Sequence, residues 1–191
     1  MRTLLFILLA TFSLSVFGQT DNYEIQVLNK IVGNGTAVKS TNGDGSTSYQ
    51  IKSSASAKIF FKQYTLVTDL KMSYKNGKMT SLTFDKTYNG EQEFIEIKYE
   101  GSQYYFYDKN GNKKDVEKDI KFTSTEMFFK EPVGISEVYV ERINAFAPIE
   151  NLGDGKYKTK VDGNVNFYTY ENGELVEFKI KALVNVYMNK I

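Results

Sequence analysis

Residues 49–74 read YQIKSSASAKIFFKQYTLVTDLKMSY, and the predicted fold depends mainly on this stretch. Apolar or small side chains occupy every second position, first from Tyr49 to Phe61 and again from Tyr64 to Tyr74, and most positions between them are polar. Side chains that alternate with a period of two lie on opposite faces of a β-strand. The pattern therefore predicts two long neighbouring strands, each with one face turned toward a shared interior.

The same alternation continues on both sides of this strand pair, and short turn signals separate the alternating segments. Asn-Gly pairs stand at 76–77, 89–90, 110–111 and 172–173, and such pairs favour tight antiparallel hairpins. Residues 115–130 break the alternation and predict a short helical turn that Thr123 or Ser124 caps. The predicted fold is mainly all-β. We expect a strongly curved antiparallel meander sheet of about ten or more strands, a half-barrel or barrel, with one short helix.

The first eighteen residues have the pattern of a secretory signal peptide. Arg2 precedes a mainly apolar run from Leu4 to Val16, and a polar segment follows Gly18. A membrane-spanning helix needs about 20 apolar residues, so the pattern favours a cleaved signal over an anchor. We predict a signal peptide over residues 1–18 and a single β-rich domain over residues 19–191. The mature chain is expected to have no transmembrane span and to be exported, to the periplasm or out of the cell.

The composition excludes several kinds of function. The 191 residues include no Cys and no His, which excludes a disulfide framework and both Ser-His-Asp and Cys-His catalysis. Loss of Arg2 with the signal brings the 24 basic residues level with the 23 acidic ones. A neutral domain has little electrostatic attraction to nucleic acid. We therefore predict no nucleic-acid partner, no metal, no cofactor and no catalytic residue.

Four segments in a fixed order carry a family resemblance. They are Tyr23-x-Ile25-x-Val27 with Ile31-Val32-Gly33, the long strand pair that ends at Lys75-Asn76-Gly77, Phe129-Lys130-Glu131-Pro132-x-Gly134, and Tyr168-x-Tyr170-Glu171-Asn172-Gly173. Over essentially the whole mature chain, the sequence resembles a family of exported proteins of Gram-negative bacteria that is known as a domain of unknown function. That family is similar in outline to envelope proteins with a strongly curved antiparallel sheet, including half-barrel lipoprotein carriers. The resemblance implies a curved sheet and brings no catalytic residue with it.

Small residues on two neighbouring strands predict where a ligand binds. The predicted ligand-binding residues are Gly35, Ala37, Ser53, Ala55 and Ala57, with Gly33 beside them. On the concave face of a bent sheet they would leave room for an apolar guest. Alternatively, small side chains merely allow a sharp bend or the close approach of the short helix.

Two other segments hold polar groups that resemble sites. Residues 108–112, with Asp115 and Asp119, resemble part of a calcium loop, although the sixth position is not Gly and the twelfth is not Glu. A hairpin turn explains the Asn-Gly pair of this segment equally well. Glu131 is either a functional carboxylate held in place by Pro132, or part of an architectural junction in which the proline ends the helical turn and the acid faces water.

Three functions are compatible with these observations. The first is a non-catalytic binding or carrier module of the bacterial envelope that holds an apolar small molecule. The second is a structural or assembly protein whose sheet edges and aromatic-rich surface contact another envelope protein. The third is an enzyme that works through carboxylates or tyrosine, and the absence of His, Cys and a Gly-rich phosphate loop disfavours it.

Overall fold

In a computed structural model of the chain, which describes residues 17–191, one antiparallel sheet of fourteen strands makes up almost all of the fold. The strands are β1 (Phe17–Val27), β2 (Lys30–Thr41), β3 (Thr47–Ile59), β4 (Lys62–Lys75), β5 (Lys78–Tyr88), β6 (Glu91–Glu100), β7 (Gln103–Asp108), β8 (Lys113–Asp115), β9 (Glu137–Val140), β10 (Ala145–Gly153), β11 (Lys156–Val161), β12 (Asn164–Glu171), β13 (Glu174–Lys181) and β14 (Val186–Lys190). The all-β prediction is confirmed. The predicted signal segment lies outside the described residues except for its last two, which begin β1.

Two meanders meet in the middle of the sheet. The strand order is β8-β7-β6-β5-β4-β3-β2-β1-β14-β13-β12-β11-β10-β9. Among residues 17–191, the first and last strands are therefore neighbours, and Tyr23 pairs with Gly35 on one side and with Lys190 on the other. The two edge strands, β8 and β9, do not pair with each other, so the sheet is not closed.

The sheet is strongly curved, as predicted, because distant strands contact one short segment. Tyr74 of β4 donates a hydrogen bond to Glu126, and Tyr170 of β12 donates one to the carbonyl oxygen of Met127. In a flat sheet, the six strand spacings between β4 and β12 would separate these tyrosines by about 29 Å. Because Tyr74 and Tyr170 contact the adjacent residues Glu126 and Met127, the sheet must bend around these two residues.

The side chains of the two long strands alternate between the two faces of the sheet as predicted. In β3 and β4 the small and apolar side chains face the concave side and most of their neighbours face solvent. One detail of the prediction is wrong. Strand β3 ends at Ile59, and Phe60 and Phe61 form the two-residue turn to β4, so Phe61 does not continue the inward series.

The connection from β8 to β9 crosses the concave side of the sheet, and we call residues 116–136 the inner segment. The predicted helical turn is a 3-10 turn at Glu126–Phe128. Its N-cap residue is Thr125, which makes no side-chain cap bond. Thr123 instead closes the bend just before it, because the Glu126 N–H donates to Thr123 Oγ1 (3.1 Å) and the Thr123 N–H donates to Glu126 Oε2 (3.0 Å), a reciprocal pair like that of a capping box. Within residues 17–191, no helix has the length and hydrophobicity that crossing a bilayer requires.

A second 3-10 turn, at Glu141–Ile143, was not predicted, so the expectation of one short helix needs correction. Its first residue is buried, and the Glu141 carboxylate accepts hydrogen bonds from the Ser124 hydroxyl and from the Thr125 N–H (2.9 Å). These partners lie 16 and 17 residues away along the chain. A contact of this kind leaves no local sequence signal.

The inner segment fills one end of the curved sheet. Met127 is fully buried and Phe128 packs edge-on against Tyr23 of β1, with ring centroids 6.0 Å apart. A second apolar cluster gathers around Ile97 and Tyr139 and includes Val116 and Ile120 of the inner segment. We call this the filled end, where the turns β2–β3, β4–β5 and β12–β13 lie. The opposite end, with the turns β1–β2, β3–β4 and β13–β14, is the open end.

Candidate ligand cavity and its rim

A cavity of about 640 Å³ lies on the concave side of the sheet at the open end. Its walls come from strands β1 to β5 on one side and from β13, β14 and their connecting turn on the other. The lining residues are Ile25, Val27, Val32, Ser53, Ala55, Ala57, Ile59, Phe60, Tyr64, Thr65, Leu66, Thr68, Phe84, Tyr88, Phe178, Ile180, Ala182, Leu183, Val184, Val186 and Met188. The volume falls within the range of about 300 to 1,000 Å³ that is typical of small-molecule sites.

The lining of the cavity is almost entirely apolar. Across the part of the chain that the structure describes, no charged side chain contributes to it. Two hydroxyl groups of the lining are hydrogen-bonded to each other, since Ser53 Oγ lies 2.7 Å from Thr68 Oγ1. Tyr64 and Tyr88 stack with ring centroids 6.3 Å apart. Recognition in such a site depends on apolar contact, with the tyrosine hydroxyls and Thr65 as the remaining polar groups.

The structure brings three of the five predicted ligand-binding residues together. Ser53, Ala55 and Ala57 succeed one another along β3 and form part of one cavity wall. Their small side chains are one reason why space remains in front of this strand. The alternation that places them on the concave face is the one that the sequence predicts.

Gly35 and Ala37 do not line the cavity, which corrects the prediction. Ala37 is fully buried in the apolar cluster around the inner segment, because it lies farther along β2 toward the filled end. Gly35 lies beneath a cavity residue, since a Cβ added to it would stand 2.8 Å from Met188 Cε. The missing side chain of Gly35 therefore makes room for Met188, and Met188 contributes to the cavity lining.

Gly33 fits the alternative interpretation, in which a small residue permits close packing, because its missing side chain lets β2 approach β3 closely. A Cβ at this position would lie 2.0 Å from the carbonyl oxygen of Ser54. The pairing of β1 with β2 shifts register here, because Ile25 pairs with Gly33 while Gln26 pairs with Ile31. Val32 is the extra residue of this bulge, and it lines the cavity.

Aromatic side chains connect the cavity to the inner segment. Phe178 of β13 lines the cavity and packs against Phe128 and Tyr168, with ring centroids 5.3 and 4.9 Å apart. Phe128 in turn packs against Tyr23. The inner segment therefore supports the cavity from the filled end, and the cavity opens in the other direction.

Ionisable groups of the inner segment serve to hold it in place. Glu126 Oε2 accepts a hydrogen bond from the Tyr74 hydroxyl (2.6 Å) as well as those from Thr123. Burial raises the pKa of the Glu126 carboxyl above its ordinary value. Burial, followed by the charge of Glu126, raises the pKa of the Tyr74 hydroxyl far above its usual range. Neither group lines the cavity.

The segment that resembles part of a calcium loop forms a hairpin turn, which is the other interpretation of its Asn-Gly pair. Asp108 Oδ1 accepts hydrogen bonds from the N–H groups of Asn110 (2.8 Å) and Asn112 (3.0 Å). Hydrogen bonds from Asn112, first from its side chain and then from its backbone, lower the pKa of the Asp108 carboxyl. Asp119 lies 3.6 Å from Lys78 in an ion pair. Over residues 17–191, no cluster of three acidic side chains suited to a metal ion is present.

Glu131 does not simply face water, as the architectural interpretation expected. It is half-buried, and its Oε1 accepts a hydrogen bond from the Tyr157 hydroxyl (2.8 Å). Pro132 is fully buried, and Phe128 and Phe129 pack against the core as that interpretation predicts. The junction fixes the inner segment to β11.

Sequence reasoning missed the residues that surround the mouth of the cavity. Leu28, Phe60, Phe61 and Leu183, which we call the rim, are 61%, 83%, 96% and 99% exposed. They lie in the three turns β1–β2, β3–β4 and β13–β14, which are neighbours in the sheet. The signal that predicts them is a bulky apolar residue in a turn between two alternating segments, where Asn and Gly are usual.

Two of these turns have an unfavourable backbone conformation. Phe60 and Phe61 have φ angles of 48° and 69°, and Leu28 has a φ angle of 51°. The left-handed region costs a bulky residue about 1–2 kcal/mol. Other two-residue turns of this chain have Asn-Gly in the same conformation, for example at 76–77, with φ angles of 52° and 74°. The rim therefore combines backbone strain with the exposure of large apolar side chains.

Comparisons with known proteins support the fold and the family. A search of curated proteins found no match. Among solved structures, the chain is similar to a protein from Brucella abortus described as a beta-barrel-like protein of domain of unknown function DUF1849. The TM-score is 0.60 at 9% sequence identity, over 94% of this chain and 98% of that chain, and at this identity the likeness extends to the fold alone. Because the family described as domain of unknown function DUF6134 matches residues 23–188, the chain belongs to that family.

Proposed function

We propose that this chain is a non-catalytic binding or carrier protein that holds an apolar small molecule in the cavity at the open end of its sheet. The supporting observation is a cavity of about 640 Å³ to which no charged side chain among residues 17–191 contributes. Apolar surface that faces a cavity lacks packing partners, and an apolar guest supplies them. Binding has a favourable free energy because it removes apolar surface from water.

The shape of the site favours a guest with an apolar chain and a small polar end. The apolar part would lie between Ala55 and Phe178, and the polar end would lie near the tyrosine pair formed by Tyr64 and Tyr88. Each buried methylene contributes about 0.8 kcal/mol, which is roughly a fourfold gain in affinity. Affinity should therefore rise with chain length until the cavity is full.

The arrangement of ionisable groups supports a non-catalytic role. Glu126 and Glu141 are two of the carboxylates that hold the inner segment, and both accept hydrogen bonds from neighbouring groups. Neither contributes to the cavity wall. A general acid or base must lie within hydrogen-bond reach of the reacting group, and these two carboxylates do not reach a guest in the cavity.

We also propose that the chain is exported and acts in the bacterial envelope, in the periplasm or outside the cell. The support is the amino-acid pattern of residues 1–18 and the resemblance to curved-sheet carriers. Intact-mass measurement of the protein from fractionated host cells tests this proposal. A mature chain that begins near Gln19 in the envelope or secreted fraction supports it, and a full-length chain in the cytoplasmic fraction contradicts it.

The second candidate is an assembly protein that contacts another envelope protein through its sheet edges. The edge strands have three and four residues, and all three residues of β8 are charged and exposed. Short charged edges discourage the addition of a further strand. This observation favours the carrier over an assembly role at the edges.

Two measurements test the carrier proposal together. Native mass spectrometry of gently purified protein should show a retained small molecule. Fluorescence titration with 11-dansylaminoundecanoic acid, followed by competition with 1-alkanols of six to twelve carbons, should show saturable binding that strengthens about fourfold per methylene. A single co-purified protein partner, with no retained small molecule and no saturable probe binding, would contradict the carrier and favour the assembly role.

A further inference from the structure

We propose that the rim is a docking surface for an anionic lipid bilayer, so that the open end of the sheet faces the membrane. The inference goes beyond the proposed cavity function and stands without it, because its observations are the exposure, backbone strain and charge of the turns. Its test uses vesicles, and the test of the cavity uses a soluble probe.

The rim side chains form one apolar surface. Leu28, Phe60 and Leu183 line a shared hollow between the three turns, and Phe61, which is 96% exposed, projects beside them. Sheet order explains this grouping, because strands β4, β3, β2, β1, β14 and β13 are consecutive neighbours. A group of large apolar side chains at hairpin tips can enter the boundary between lipid headgroups and acyl chains together.

Folding alone gives no reason for these residues. The sequence Asn-Gly fits a two-residue turn with both residues in the left-handed region, and the chain has Asn-Gly at 76–77, 89–90 and 172–173. At 60–61 the same conformation is occupied by two phenylalanines that contribute little to the core. Strain and exposure in one place indicate a function outside the folded chain.

The charge around the rim selects the type of surface. Residues 26–32, 56–64 and 179–187, which contain the three turns, hold no Asp and no Glu. The exposed lysines in these ranges are Lys30, Lys58, Lys62 and Lys181. The turns of the filled end hold charges of both signs, with Asp44, Asp154 and Glu171 as well as Lys75 and Lys156. The three rim turns therefore combine apolar side chains with lysines and hold no acidic residue, whereas the flanking turns β5–β6 and β11–β12 hold Glu91 and Asp162. Apolar tips with lysines beside them complement an anionic bilayer.

A bilayer fits these observations better than a protein partner does. The apolar tips belong to separate hairpins, and lysines stand next to them along the chain. Protein interfaces are depleted of lysine at their apolar centre. Lysines beside apolar tips are suited to a surface where lipid phosphates lie just outside the acyl chains.

Vesicle flotation tests the proposal. Wild-type protein should float with vesicles of phosphatidylglycerol and phosphatidylcholine (3:7), bind pure phosphatidylcholine weakly, and dissociate in part at 0.5 M NaCl because salt screens the lysines. The double variant Phe60→Asn, Phe61→Gly replaces the strained turn by the pair that the chain has elsewhere, so it should fold at least as well. We expect it to lose about tenfold or more of its vesicle affinity.

Charge variants provide a matched control. Lys58→Glu with Lys62→Glu should abolish the preference for phosphatidylglycerol, whereas Lys75→Glu with Lys156→Glu, at the filled end, should leave binding unchanged. The proposal is overturned if wild-type protein floats with neither vesicle, or if Phe60→Asn, Phe61→Gly binds as wild type does. A dimer in sedimentation velocity that this turn variant abolishes, with no vesicle binding by the wild type, would identify the rim as a protein interface instead.

Discussion

Substitution of Ala55 by Phe tests whether the cavity is empty space that a guest can occupy. The Ala55 side chain projects from the middle of the β3 wall toward the strands opposite. A buried Phe side chain removes about 150–250 Å² from water, and filling a cavity typically stabilises a protein by about 0.5–2 kcal/mol. At about 2–4 °C per kcal/mol for a chain of this size, we expect the melting temperature of Ala55→Phe to rise.

The same substitution should weaken binding. The added ring occupies space that would otherwise hold at least about two methylene groups of a guest, so affinity for the dansyl probe should fall about tenfold or more. The two effects have opposite signs, since stability increases while affinity decreases. Thermal unfolding followed by circular dichroism and titration with the probe measure them on the same sample.

Ser54→Phe is the matched control, because Ser54 is the neighbouring residue of the same strand and its side chain is exposed on the convex face. It should change stability by no more than about 0.5 kcal/mol and leave the probe affinity unchanged. The reasoning is refuted if Ala55→Phe is destabilised by about 1–3 kcal/mol, as overpacking of a filled core would be. It is also refuted if Ala55→Phe binds the probe with wild-type affinity.

Three further predictions concern the inner segment and the bulge. Tyr170→Phe removes the hydrogen bond that the Tyr170 hydroxyl donates to the Met127 carbonyl oxygen of the inner segment (2.6 Å). It should lower the free energy of unfolding, measured in urea, by about 1–3 kcal/mol. The control Tyr107→Phe removes an exposed hydrogen bond and should lower it by less than about 0.5 kcal/mol. Burial raises the pKa of the Glu126 carboxyl above its ordinary value, so the contribution of the neutral carboxyl to stability is fully present below the ordinary pKa and is lost as pH rises through the folded-state pKa. The stability of Glu126→Gln relative to wild type should therefore increase between pH 4 and pH 8, and a constant difference would contradict this. Gly33→Ala places a Cβ 2.0 Å from the Ser54 carbonyl oxygen and should lower the unfolding free energy by at least about 1–3 kcal/mol; wild-type stability would show that the strands separate freely.

The sequence predicts the faces of the strands well, because a period of two depends only on local geometry. Ser53, Ala55 and Ala57 lie on the concave face for this reason. Whether a residue lies nearer the open end or the filled end is a separate question, because that position depends on the register between strands. Ala37 has the predicted face, but it lies near the filled end and belongs to the core.

The rim shows where local pattern reasoning fails. Phe61 continues the alternation of β3 in the sequence, so a period of two extends the strand through the turn. Turn prediction relies on Asn, Asp and Gly, and none of them stands at Phe60 or Phe61. That rule therefore does not detect a turn whose residues disfavour the left-handed conformation. The same mismatch between residue and conformation is what indicates a function for this turn.

The second wall of the cavity also lay beyond sequence reasoning. Phe178 and Met188 face Ala55 only because β14 pairs with β1, at the opposite end of the chain, with Met188 opposite Ile25. Contacts between the two ends of a chain depend on how the whole sheet curves around the inner segment. No local pattern encodes them.

Methyl NMR of protein labelled at alanine tests the central claim most directly, because alanines lie both in the cavity and in the filled end. Titration with 1-decanol should shift the methyl signals of Ala55 and Ala57 and give nuclear Overhauser contacts from them to the alkyl chain. The methyl signals of Ala37 and Ala147, which are buried around the inner segment, should stay in place. Saturable binding that leaves Ala55 and Ala57 unchanged, or no binding at all, would contradict an apolar binding site at the open end of the sheet.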